Sequence, residues 1–136
     1  MKTVFTCPLP PTLNEQIKYA RGNKYSSASV KKKWNTYIGK LANEQNLPQF
    51  PNQVWMVYEW RLKNLERDPD NTSAGAKYIN DGLKHIGIIK EDNLKIILGF
   101  DHFFQKWYKD ELILTISDKP ILKKIFIEDD DSDATS

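Results

Sequence analysis

The sequence predicts a single α/β (α+β) domain, a small mixed sheet of about four strands flanked by helices. Val54 to Leu62 (VWMVYEWRL) is rich in β-branched and aromatic residues, the composition of a central strand. Ser26 to Asn46 repeats apolar residues at helical spacing, long enough to lie across such a sheet. A chain of 136 residues, 40% hydrophobic and 28% charged, suits one domain with a sizeable core. No apolar run approaches the length of a membrane span and the N-terminus lacks a signal-peptide core, so no membrane association and a cytoplasmic location are expected.

In chain order, Thr3 to Cys7 reads as a first strand, stopped by Pro8, Pro10 and Pro11. Thr12 or Asn14 is placed to cap a short helix that reaches Arg21, with Gly22-Asn23 as its break. In the long helix, Val30, Trp34, Tyr37, Ile38 and Leu41 form one stripe, so Trp34 is expected in the core. Lys31, Lys32, Lys33 and Lys40 fall largely elsewhere. Pro48 and Pro51 punctuate the turn before the central strand. That strand is apolar on both faces, so each side should be covered. Leu94 to Phe100 and Leu112 to Ile116 read as two further strands, with Tyr108-Lys109-Asp110 as a hairpin turn between them. Phe104 and Trp107 are expected to pack along the sheet. Ile121 to Ile127 follows as an extra strand or short helix, and 128–136 as an acidic disordered tail beyond a domain of 1–127. There is no internal repeat.

The chemistry is concentrated between Arg67 and Asn93 (RDPDNTSAGAKYINDGLKHIGIIKEDN). Asp68 and Asp70 sit two apart, so on an extended backbone both carboxylates face the same way. Asn71, Thr72 and Ser73 are capping types, and Ala76, Ile79, Leu83 and Ile86 then mark the apolar face of a helix that Gly87 ends. Lys77 and Asp81 are an i,i+4 pair beside that face. Glu91 and Asp92 bring further carboxylates after the helix. Two acids at a strand end, a lysine and a later acid are the equipment of a divalent-metal phosphodiesterase.

Competing motifs fail on position. In an EF-hand register starting at Asp68, Ser73 stands where glycine is required and Ile79 where glutamate is required. Neither His85 nor His102 has a partner at metal-ligand spacing, so both are expected to be structural, and no P-loop, GxSxG or dinucleotide fingerprint is present. Cys7, the only cysteine, excludes an intrachain disulfide and suits a reducing compartment. The net charge of +2 hides an asymmetry, because five of the 18 acids lie in the last nine residues. Residues 1–50 carry eight basic and two acidic side chains, a body suited to a polyanion.

From Phe5 to Ile116 the chain resembles the RusA-type Holliday junction resolvases. The resemblance rests on the ordered set PLPPTLNE (Pro8 to Glu15), Arg21, RDPDN (Arg67 to Asn71), KYINDGL (Lys77 to Leu83) and GIIKED (Gly87 to Asp92). It implies a magnesium-dependent endodeoxyribonuclease of DNA recombination and repair, with Mn²⁺ as an alternative ion. Such an enzyme acts as a homodimer that makes paired symmetric nicks in a four-way junction. By this resemblance Asp68, Asp70, Asp92 and Lys77 are the catalytic set, Asp68, Asp70 and Asp92 hold the metal, and Glu91 is an auxiliary ligand. Arg67, Asn71, Asn14, Lys18 and Arg21 are implied DNA contacts, and Lys31, Lys32 and Lys33 a phosphate track. Asp81 is expected to orient Lys77. Between Asp70 and Lys77 the spacing is about three residues longer than the family's usual pattern, with Gly75 inside it. A nuclease for flaps, forks or branched phage DNA and a non-catalytic branched-DNA-binding protein are the alternatives.

Overall fold

A computed structural model describes residues 1–22 and 24–121, the side chains of 24 and 25 excepted. In chain order it places β1 (Lys2–Cys7), α1 (Leu13–Gly22), α2 (Lys24–Glu44), β2 (Val54–Leu62), α3 (Pro69–Ser73), α4 (Ala76–His85), β3 (Ile97–Lys106) and β4 (Glu111–Ser117). Asn23, the segment 122–127 and the acidic tail expected at 128–136 lie outside the described residues.

The strands form one mixed sheet in the order β1-β4-β2-β3. β4 is antiparallel to both β1 and β2, whereas β2 and β3 run parallel, joined through α3 and α4. A parallel pair needs such a crossover, since a tight turn cannot return the chain to the same end of the sheet. The predicted single-domain mixed α/β architecture is thus the observed one.

Burial alternates along β2. Val54, Met56, Tyr58, Trp60 and Leu62 are buried, together with Phe5 and Cys7 of β1 and Leu112, Leu114 and Ile116 of β4. Ile38 and Ala42 of α2 and Ile79 and Leu83 of α4 complete the same cluster. Trp34 is half-buried against that cluster and meets Tyr37 and Tyr78 edge-on. The opposite face of β2 does not match the expectation of cover on both sides. Its residues Trp55, Val57, Glu59 and Arg61 are only half-buried by the described residues. Arg61 makes that face tolerable, pairing with Glu59 at 3.1 Å and Glu111 at 3.4 Å while lying 4.4 Å over the Trp107 ring.

Two strand expectations need correction. β3 runs from Ile97 to Lys106 rather than Leu94 to Phe100, because Leu94 is 86% exposed and the backbone of 93–97 turns on Asn93 instead. β3 and β4 are not a paired hairpin either. β2 lies between them, since its buried residues need a bonded neighbour on each edge.

Two predictions arise from this core. Burial pushes the Cys7 thiol up to about 12, so the reactive thiolate is scarce at neutral pH. Cys7 should therefore resist a thiol-specific alkylating reagent in the native protein and react readily in denaturant, which intact-mass measurement reads directly. His102 stacks on Tyr58 and Trp60, and its Nδ1 accepts the Trp60 Nε1–H at 2.9 Å. Burial holds its pKa below the ordinary histidine value, against the pull of Asp101. A depressed folded-state pKa contributes stability above the unfolded value of about 6.5 and loses it as pH falls through the folded value. Denaturation free energy should fall from pH 7 to 5, and less steeply in His102→Gln.

Candidate functional site

The Pro-rich turn and α1 are fastened to α3 by side chains that the motif order had marked. Thr12 and Glu15 form a reciprocal cap, with Glu15 N–H donating to Thr12 Oγ1 at 3.3 Å and Thr12 N–H donating to Glu15 Oε1 at 3.2 Å. Asn71 Oδ1 accepts the Asn14 backbone N–H at 2.9 Å, across to the start of α1. Gln16 Nε2 donates to Pro11 O and Ala74 O, both at 3.1 Å. Gly75 has no Cβ because one would sit 2.6 Å from Pro10 Cγ. The longer spacing before Lys77 is thus a docking surface for the Pro-rich turn, not a slack turn.

Asp68 and Asp70 do not share an extended backbone, contrary to expectation. Asp68 is the N-cap of α3, its Oδ1 accepting from Asp70 N at 2.8 Å and Asn71 N at 3.4 Å. Pro69 occupies the first helical turn, where its missing N–H costs nothing. Asp70 is therefore helical, in the first turn that Asp68 caps. Nor do Asn71, Thr72 and Ser73 cap the next helix, for α4 begins after Gly75 with no side-chain cap. The C-terminal reading of α4 agrees better. Gly87 has φ +78°, and Ile88 N–H reaches back to Leu83 O at 2.9 Å.

A second set of groups converges between α2 and α4. The two helices touch through glycines. A Cβ at Gly82 would lie 2.8 Å from Ile38 Cβ, and one at Gly39 would lie 3.1 Å from Ile86 Cγ2. This close approach sets Lys31 and Asn35 of α2 beside Tyr78, Asp81, Lys84 and His85 of α4 around a cleft of about 280 Å³. Asp92 completes the lining. Its loop is held from below, because Ile88 and Ile89 are buried in the core and Phe50 N–H donates to Ile88 O at 2.8 Å.

Within the cleft the Asp81 and Asp92 carboxylates stand close enough to shift each other's titration. Burial, and next that contact with Asp92, raises Asp81 above the usual carboxylate range against the pull of Lys31 and Lys77. Asp92 is lowered, first by the hydrogen bond from Asp81 and further by Lys84. Lys84 Nζ bridges Glu91 at 3.0 Å and Asp92 at 3.7 Å, and the Glu91 contact raises its pKa.

The other marked residues scatter. Arg67 is paired with Asp110 at 3.3 Å. Lys18, Arg21, Lys32 and Lys33 are exposed, with no side-chain hydrogen bond or ion pair among the described residues. Lys77 is exposed near Asp81, but Asp81 is turned to Asp92 rather than serving to orient Lys77 alone. Among the described residues no three or more His, Cys, Asp or Glu side chains stand where they could hold one metal ion. Asp68, Asp70 and Asp92 are therefore not gathered into one cluster, and Asp81 is the partner that sequence reasoning missed. Its signal was legible, since Lys77, Asp81, Lys84 and His85 share one face of α4 at spacings of three and four.

Asp81 and Asp92 offer oxygen donors of the type a hard divalent cation prefers. Two carboxylates in contact repel unless a proton or a cation lies between them, and Mg²⁺ needs few protein oxygens because it keeps several waters. No helix among the described residues is long and apolar enough to cross a membrane. No family model matches the chain, and no curated protein sequence matches it.

Proposed function

We propose that the chain is a metal-dependent, structure-selective endodeoxyribonuclease that resolves four-way DNA junctions by paired nicks as a cytoplasmic homodimer. The observation that carries this reading is the meeting of Asp81 with Asp92 in a cleft flanked by Lys31 and Lys84. The ordered motifs from PLPP to KED support the substrate class, and the exposed lysines of α2 beside the cleft offer phosphates a track. Two-fold symmetry in a junction calls for two related sites, which a homodimer supplies.

Asp81 and Asp92 would hold Mg²⁺, or Mn²⁺ in its place. The ion supplies a lowered pKa for bound water and positive charge against the scissile phosphate. The protein's own groups do the rest. Lys31 and Lys84 attract a phosphate to the cleft mouth, and Asn35 offers it a neutral donor. Ile88 and Ile89 keep the Asp92 loop from drifting. Asp68 stiffens α3, which holds Asp70 exposed beside the docked α1.

The test is cleavage of a labelled mobile four-way junction by the purified protein with Mg²⁺, with linear duplex and Asp92→Asn as controls. Symmetric nicks on the junction alone are expected. Binding without cutting under both Mg²⁺ and Mn²⁺ would leave a DNA-binding protein, and neither binding nor cutting would remove the substrate class.

A further inference from the structure

At the far end of β2 the chain leaves a second hollow, of about 260 Å³, lined by Leu62, Leu65, Arg67, Pro69, Thr72 and Phe104. It lies directly against the Asp68–Asp70 segment, since Pro69 forms part of its wall. Its mouth is unusually apolar for a surface, with Leu65 51% and Phe104 39% exposed. The frame around it is fastened. Trp107 N–H donates to Leu62 O at 2.8 Å, Lys63 N–H to Asp110 Oδ1 at 2.9 Å, and Arg67 pairs with the same Asp110 at 3.3 Å. The loop so held carries Tyr108, 73% exposed, with the Lys109 ammonium 5.7 Å from its ring centroid.

We propose that this hollow takes one unstacked base of the bound DNA, resting on the proposed nuclease reading for the approach of DNA to this end. A base has a flat apolar face and a polar edge. Phe104 and Leu65 offer the apolar surface, and Arg67 sets a planar, fixed guanidinium at the rim, where it meets a base edge or the adjoining phosphate. Aromatic stacking of this kind is tolerant of base identity. Branched DNA supplies the ligand readily, because bases at a branch point are already partly unstacked and cost less to extrude. The hollow thereby selects for distorted DNA, beyond what the phosphate-attracting lysines of α2 distinguish.

The experiment places a fluorescent adenine analogue, 2-aminopurine, at successive positions around the branch point of a junction. Binding is followed without divalent ions in the full-length protein. Brightening at one or two positions is expected, with Phe104→Ala and Leu65→Ala each removing it and Phe104→Ala weakening binding about tenfold. Both side chains are exposed enough that truncation should leave the fold intact, which a thermal melt confirms. Binding with no brightening at any position overturns the proposal, as does brightening unchanged in both variants. A dimer that becomes a monomer in Phe104→Ala would assign the hollow to a second copy and equally overturn it. A single-stranded oligonucleotide and its abasic counterpart separate this idea from the nuclease reading. A preference for the base-bearing strand that Phe104→Ala abolishes sustains the hollow even where junctions are not bound, and no preference rejects it.

Discussion

Replacing Asp92 by asparagine is expected to lower junction cleavage about a thousandfold, the scale of losing one group that stabilises charge in the transition state. The protein should still fold, because Asp92 is only half-buried and an asparagine amide can donate to the Asp81 carboxylate. Junction affinity without metal should be kept or rise slightly, since a negative charge leaves the cleft. Asp81→Asn should behave alike, and the double variant should be little worse than either alone, as is usual for groups that act as a unit. The measurements are single-turnover cleavage, metal-free binding and a thermal melt on each variant. Cleavage retained within a few-fold in both single variants would place the chemistry elsewhere, with Asp68 and Asp70 as the remaining acids.

The second large effect is on stability. Gly82→Val should cost about 3 kcal/mol, because even its Cβ would lie under 3 Å from three Ile38 carbons and a β-branched side chain is also stiff in a helix. The crossing of α2 over α4 can yield only by moving apart, which takes Lys31 and Asn35 away from Asp81. Urea denaturation measures the loss, and cleavage by the remaining folded protein should fall with it. A variant as stable as the parent would mean that the two helices are not packed through glycine. Gly39→Val, whose Cβ meets only the end of Ile86 at 3.1 Å, should be milder.

Local chemistry made much of this fold legible. β2 occupies Val54–Leu62 as its β-branched and aromatic composition predicts, and α1 and α2 fall within two residues of expectation. Gly87 announces the end of α4 by itself. The misreadings came where distant pairing decides the outcome. Nothing in LKIILGF or LILTI says that β2 will lie between them; that follows from which strand has the most apolar surface to bury. Asp68-Pro69 was a local signal overlooked, because an acid before proline is the start of a helix as readily as the end of a strand.

The candidate site was half visible. Asp92 and the lysines of α2 stood out by type and order, but their meeting with Asp81 depends on Gly39 and Gly82, which only matter once two helices touch. Asn14 and Asn71 were marked as DNA contacts and are bonded to one another through a backbone N–H, which joins α1 to α3. A residue type that suits a ligand suits a cap equally well, and geometry alone separates them.

The proposed function requires Asp81 and Asp92 together to hold a divalent cation in the α2–α4 cleft. The most direct measurement is thermal stability of the full chain as Mg²⁺ is titrated, for the parent protein and for the Asp81→Asn, Asp92→Asn double variant. Ligand linkage predicts a concentration-dependent rise in the parent, about 2.7 kcal/mol at a hundredfold excess over Kd, and none in the variant. No rise in the parent, or an equal rise in both proteins, would contradict it.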